Sequence, residues 1–158
     1  MWRSWWPNRW GSPTDRPRLA AVSSWSGRRV DHVGIAVRDL DVALAFYRPL
    51  AGLPVHREVV AGDGVEVAFL KLGETELELL ASRGPDSSVQ RFLERRGEGL
   101  HHLALEVGDL AAELAEWRSR GAVLIDEAPR PGARGRQVAF VHPGSALGVL
   151  VELCQRVS

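Results

Sequence analysis

Residues 99–107 read GLHHLALEV, and 70 residues earlier, at 29–37, the chain reads RVDHVGIAV. The match extends downstream. HVGIAVRDL from His32 is echoed by HLALEVGDL from His102, and VAFLKLG from Val67 by VAFVHPG from Val138. Each half then closes on an apolar run with one acid, LELL holding Glu78 and LVEL holding Glu152. Internal repetition is a fold-level signal and takes precedence over local detail.

Within each half the pattern runs strand, helix, strands. VDHVGIAV alternates and is β-branched, as a strand requires. Asp39 can cap a helix whose Leu40, Ala43, Leu44 and Tyr47 form the i, i+3, i+4, i+7 stripe. Asp109 caps the second copy, with Leu110, Leu114 and Trp117 as its stripe. Gly52 and Gly121 follow the two helices, where a left-handed residue is useful. A hairpin follows each helix: a variable strand, the VAF strand, then the acid-bearing strand. Residues 86–96 read as a connecting helix with Val89, Phe92 and Leu93 on one side, ended by Gly97. The expectation is an α+β fold: two tandem βαβββ modules forming a curved half-barrel sheet with helices outside. Module one spans 29–82 and module two 98–155, within one domain of 29–155.

Strand side chains alternate between faces, so only one of two adjacent histidines can share a given face. The repeat selects His102 as the counterpart of His32, with small residues beside both (Gly34 and Ala36; Ala104). His101 is expected to point the other way, exposed or as a contact behind the site. Glu78 and Glu152 occupy equivalent places on the closing strands. The expected metal set is His32, Glu78, His102 and Glu152. Two imidazoles and two carboxylates suit a divalent ion such as cobalt, manganese, zinc or iron and leave positions open for substrate oxygens. The bland alternatives are a structural histidine and a solvent-facing glutamate; recurrence at matched places argues against them. His56 is expected at the surface, and Cys154 as a small buried apolar residue.

The bulk properties bound the function classes. The chain has 158 residues, 45% hydrophobic and 25% charged, with zero net charge. No electrostatic case exists for nucleic acid as a partner, and no apolar run has the length of a membrane span. Cys154 is the only cysteine, so no disulfide forms within one chain and a cytoplasmic, reducing location is the simpler assumption. The first 29 residues differ: they hold five of the six tryptophans and six arginines against one acid, Asp15. They show no apolar periodicity, and residues 1–28 are expected to be a disordered extension. Their Arg-rich character also loosely fits an organellar transit peptide.

These segments resemble the vicinal oxygen chelate superfamily, which includes glyoxalase I, extradiol dioxygenases and acyl-CoA epimerases. DHVGIAVRDLDVALAFY, GVEVAFLKLGETELELL, GLHHLALEV and VAFVHP…GVLVEL resemble the methylmalonyl-CoA epimerase branch in order and spacing, from about residue 30 to 155. The resemblance implies a glyoxalase-like fold, a divalent metal on the same four residues, and interconversion of (2R)- and (2S)-methylmalonyl-CoA. It implies an acyl-CoA substrate and, in relatives of this kind, a homodimer. Glu152 resembles the residue given both a ligand and an acid/base role. Glu66 is the candidate second acid/base, although the family's GVxE is GVEV here: Val67 stands at the matching position, and a one-residue change reverses the face. Gly144 replaces the lysine of the family's HPK turn. Arg134, Arg136 and His142 are the candidates for holding substrate and its phosphates. Two other readings stay open: a glyoxalase I-type lyase using the same ligands, and a non-catalytic binding protein of the same fold.

Overall fold

A computed structural model describes residues 28–51, 55–60 and 62–157. The N-terminal expectation and Gly52 therefore lie outside the described residues, apart from Arg28, which makes a two-pronged ion pair with Glu113 (2.6 and 2.8 Å).

Module one contains β1 (Val30–Val37), α1 (Leu40–Ala51), β2 (Val55–Val60), β3 (Val65–Leu72) and β4 (Thr75–Ser82). A connecting helix α2 (Ser88–Arg96) leads to β5 (Gly99–Glu106), α3 (Leu110–Ser119), β6 (Arg130–Pro131), β7 (Gln137–Val141) and β8 (Val151–Gln155). All eight strands join one sheet in the order β2-β3-β4-β1-β5-β8-β7-β6. β1 and β5 pair antiparallel at its centre, β1 pairs parallel with β4, and β5 pairs parallel with β8. The acid-bearing closing strands thus flank the two histidine strands.

Helices α1 and α3 start where the sequence places them. Asp39 Oδ1 accepts from the Asp41 and Val42 amides (2.9 and 3.0 Å), and Asp109 Oδ1 from Ala112 (3.0 Å). These bonds satisfy amides that a helix start leaves open. α2 begins two residues later than expected because Ser87 is its cap: Ser87 Oγ accepts from the Gln90 amide at 3.0 Å. Gly121, at φ +83°, follows α3 in the left-handed conformation that a helix end favours.

Two apolar clusters fill the outer face. Leu40, Ala43 and Leu44 of α1 pack on Ala68, Leu70, Leu79 and Ala81. Leu110, Leu114 and Trp117 of α3 pack on Ala139, Val141 and Leu153. Leu79 and Leu153 are fully buried, each next in sequence to a candidate ligand. Burying such a side chain stabilises by ~1.5–3 kcal/mol, and strand alternation then turns Glu78 and Glu152 to the opposite, inner face.

Two features differ from expectation. Helix α2 packs on the inner face, where Val89, Phe92 and Leu93 cover Val65, Val67, Phe69 and Leu80. The variable strand of module two shrinks to the two residues of β6, preceded by one bridge from Leu124 to Val141. Its sequence, DEAPRPGARG, carries two prolines that cannot donate ladder hydrogen bonds.

Candidate metal centre

β1, β4, β5 and β8 each send one side chain to a common point on the inner face. His32, Glu78, His102 and Glu152 are all buried, at 2–6% exposure. His32 Nε2 stands 3.0 Å from His102 Nε2. Glu78 Oε2 is 3.3 Å from the first imidazole and 3.2 Å from the second. Glu152 reaches them at 3.7 and 3.4 Å. Donor atoms from His32, His102 and Glu152 all lie within 4.8 Å of one another. An ion with ligands at about 2.1 Å sets neighbouring donors roughly 3.0–3.4 Å apart. The donor set therefore fits a divalent ion: borderline nitrogen and hard oxygen ligands, buried, with spacing near that of one coordination sphere.

The ring nitrogens facing away from this point have other partners. His32 Nδ1 lies 2.8 Å from Asp31 Oδ2, and His102 Nδ1 lies 2.9 Å from His101 Nδ1. Each Nε2 is thereby turned to the common point. Gly34, the cross-strand partner of His102, makes room for that ring: a Cβ there would run into the imidazole. His32 is paired with Ala104 in the same ladder.

Without a metal the cluster has a strong internal field. Burial works against charge on His32, but hydrogen bonds to Asp31 and Glu78 prevail and raise its pKa to about 10. Burial would also raise Glu78, yet its hydrogen bonds with His102 and His32 hold it well below the usual carboxylate range. Glu152 goes the other way: burial, reinforced by the charge of Glu78, pushes it upward against the pull of the imidazoles. One carboxylate is thus fixed as an anion while the other is tuned toward accepting a proton, the arrangement in which two acids divide their roles. Asp31 is lowered to about 2, because hydrogen bonding from His32 and the charge of Arg136 outweigh its burial.

A cavity of about 70 Å³ opens beside the four residues. One wall is apolar, built from Val65, Val67, Phe69 and Leu80 of module one and Val89 of α2. Arg130 stands at its rim, bonded to Asp63 (3.0 Å) and Asp126 (3.2 Å), with its guanidinium 5.4 Å from the Phe140 ring.

Of the remaining candidates Arg136 borders this cavity, while Glu66, Arg134 and His142 do not line it. Glu66 is not brought to the cavity: its carboxylate takes hydrogen bonds from Arg57 (2.6 Å) and Arg83 (3.1 Å), while its neighbours Val65 and Val67 face the cavity. β3 pairs with β2 and β4 without a bulge, so nothing reverses the face of Glu66. Arg136 is buried and its guanidinium is bonded to Asp31, so it cannot reach out to a phosphate without stranding that carboxylate. Arg134 is exposed, paired with Glu76 and set 4.8 Å over the Phe69 ring. His142 starts a turn, its Nδ1 accepting from the Gly144 amide at 3.0 Å. His56 is exposed and pairs with Glu58. Cys154 is buried and free, its thiol pushed up to about 12 by burial.

His101 does not simply point away. It is half-buried, packed edge-on to Phe92 at 4.8 Å, and lies against His102. Asp31 is not legible in the sequence as part of the site, and Arg136 is legible only as a candidate phosphate contact, not as the partner of Asp31. The one available signal was positional: each candidate histidine is immediately preceded by a residue able to hydrogen-bond.

Comparison with known proteins bears on this geometry. The family model described as Glyoxalase/Bleomycin resistance protein/Dioxygenase superfamily matches residues 31–140. A relative named methylmalonyl-CoA epimerase, mitochondrial, from Homo sapiens is 38% identical over 147 residues, covering 91% of this chain and 84% of that one. The ethylmalonyl-CoA/methylmalonyl-CoA epimerase of Cereibacter sphaeroides is 42% identical over 130 residues, covering 80% and 97%. Among solved structures, a Streptomyces coelicolor methylmalonyl-CoA epimerase variant in complex with 2-nitronate-propionyl-CoA superposes with a TM-score of 0.78 at 39% identity, covering 82% and 95%.

Proposed function

Since the chain belongs to the glyoxalase/bleomycin resistance protein/dioxygenase superfamily, we propose that it is a metal-dependent epimerase interconverting (2R)- and (2S)-methylmalonyl-CoA. The observation that carries this reading is the meeting of His32, Glu78, His102 and Glu152 beside an apolar-walled cavity, in a chain 38–42% identical to proteins named for that activity.

The four residues are the proposed ligands of a divalent ion, with cobalt, manganese and zinc as candidates. When bound, such an ion supplies positive charge against the substrate's thioester and carboxylate oxygens and so eases loss of the proton between them. The protein's own groups do the rest. Glu152, buried at the cavity beside the two imidazoles, accepts the C2 proton on one face. Glu78, held ionised, keeps the two imidazoles turned inward. The wall of Val65, Val67 and Phe69 accommodates the methyl substituent and excludes water from it. With Val67 on that wall and Glu66 bonded to Arg57 and Arg83, return of the proton on the opposite face falls to water entering at the mouth. A homodimer located in the cytoplasm belongs to the same reading, supported by the unpaired, buried Cys154 for the location and tested by sedimentation for the oligomer.

The test is proton exchange at C2 of methylmalonyl-CoA in D2O, with and without cobalt or manganese, alongside Glu152→Gln. Metal-dependent deuterium uptake, lost in the variant, is expected. A folded, metal-loaded protein that exchanges nothing overturns the epimerase.

A further inference from the structure

The β1–β5 ladder slips twice. Val30 pairs with Leu105 and His32 with Ala104, which leaves Asp31 as an extra residue on β1. Gly34 pairs with His102 and Ile35 with Leu100, which leaves His101 as an extra residue on β5. A bulge breaks strict alternation and re-aims the residue it holds. In an unbroken ladder Asp31 and His101 would point to the face opposite the histidines that follow them. Here each reaches the Nδ1 of its own neighbour, at 2.8 and 2.9 Å.

We propose that these two bulge residues are the positioning residues of the metal centre, and that they make its two imidazoles unequal. The proposal rests on the metal-centre reading above. Asp31 accepts the Nδ1 proton of His32, which fixes the tautomer and strengthens Nε2 as a donor. It is held in turn by Arg136 and Arg156, so it cannot swing into the centre as a ligand itself. In module two the corresponding partner is an imidazole. His101 holds His102 through a neutral nitrogen and is itself wedged against Phe92. His32 is therefore the carboxylate-backed, stronger donor, and His102 the weaker one.

The test uses the full chain, stripped with a chelator and titrated with cobalt(II) against a chromophoric competitor, with the visible d–d bands recorded. Asp31→Asn is expected to weaken cobalt binding 10- to 100-fold and shift the bands. His101→Phe keeps a ring against Phe92 but removes the nitrogen; it is expected to weaken binding less than Asp31→Asn, and His101→Asn to restore most of the loss. Circular dichroism of the metal-free forms checks that each variant folds. Wild-type affinity and bands in both Asp31→Asn and His101→Phe overturn the proposal, as does a larger loss in His101→Phe. If Asp31→Asn does not fold, unchanged affinity and bands in His101→Phe are sufficient to overturn it. Failure of the wild-type protein to bind cobalt overturns the metal-centre reading itself and this proposal with it, and so is distinct from the other failures.

Discussion

At Gly34 a single added methyl group would meet the His102 imidazole, coming within 2.8 Å of Nε2 itself. Gly34→Ala must move that ring or the strand beneath it, and overpacking of this kind costs about 1–3 kcal/mol. Metal titration should show an affinity loss of roughly 5- to 150-fold, the same energy expressed at the centre. Glu66→Gln, on the far face of β3, should leave the C2 exchange rate within about twofold of wild type; a large loss would place Glu66 in the reaction after all. The pKa of His32 gives a pH signature. In the metal-free protein it is raised from 6.5 to about 10. The stability this contributes is fully present below about pH 6.5 and is lost as pH rises through about 10. Thermal melts of the metal-free chain should therefore fall in midpoint from pH 7 to pH 10. Because the ion must displace that proton, metal uptake near pH 7 should release protons, measurable as a buffer-dependent heat.

Helix α2 depends on one buried hydroxyl. Ser87 Oγ accepts from the Gln90 amide and exchanges a hydrogen bond with Ser82 Oγ at 2.8 Å, tying the helix start to the end of β4. Ser87→Ala should destabilise the chain by about 1 kcal/mol in denaturant titration. Because Ser88 and Val89 border the cavity, KM should rise more than kcat falls. At this scale the sequence was informative wherever periodicity decides the outcome. The stripes of α1 and α3, the alternation of β1 and the matched places of Glu78 and Glu152 follow from residue spacing. The bulges at Asp31 and His101 do not, because a register slip is settled by the neighbouring strand. Strict alternation turns His101 away, exposed or behind the site; the slip decides for the contact and sets it against His102. Arg136 likewise reads from the sequence as a candidate for holding substrate phosphates; only the placement of β7 beside β8, which carries Cys154, brings it to Asp31.

Across the whole molecule, the proposed centre joins the modules more directly than either apolar cluster does, since α1 and α3 each pack within their own half. Metal at a thousandfold excess over its Kd should add about 4 kcal/mol. For a chain of this size that is a rise of roughly 10 °C in Tm, reversed by chelator. The order β2-β3-β4-β1-β5-β8-β7-β6 reads alike from either end once the halves are exchanged. Divide it between β1 and β5, and each half keeps one histidine and one glutamate. A half-length ancestor would then have built a complete centre only by pairing with its own twin, and both imidazoles would have had identical backing. Fusion of two gene copies frees the halves to diverge. An aspartate can then stand before one histidine and a second histidine before the other, a difference that two identical polypeptides cannot encode.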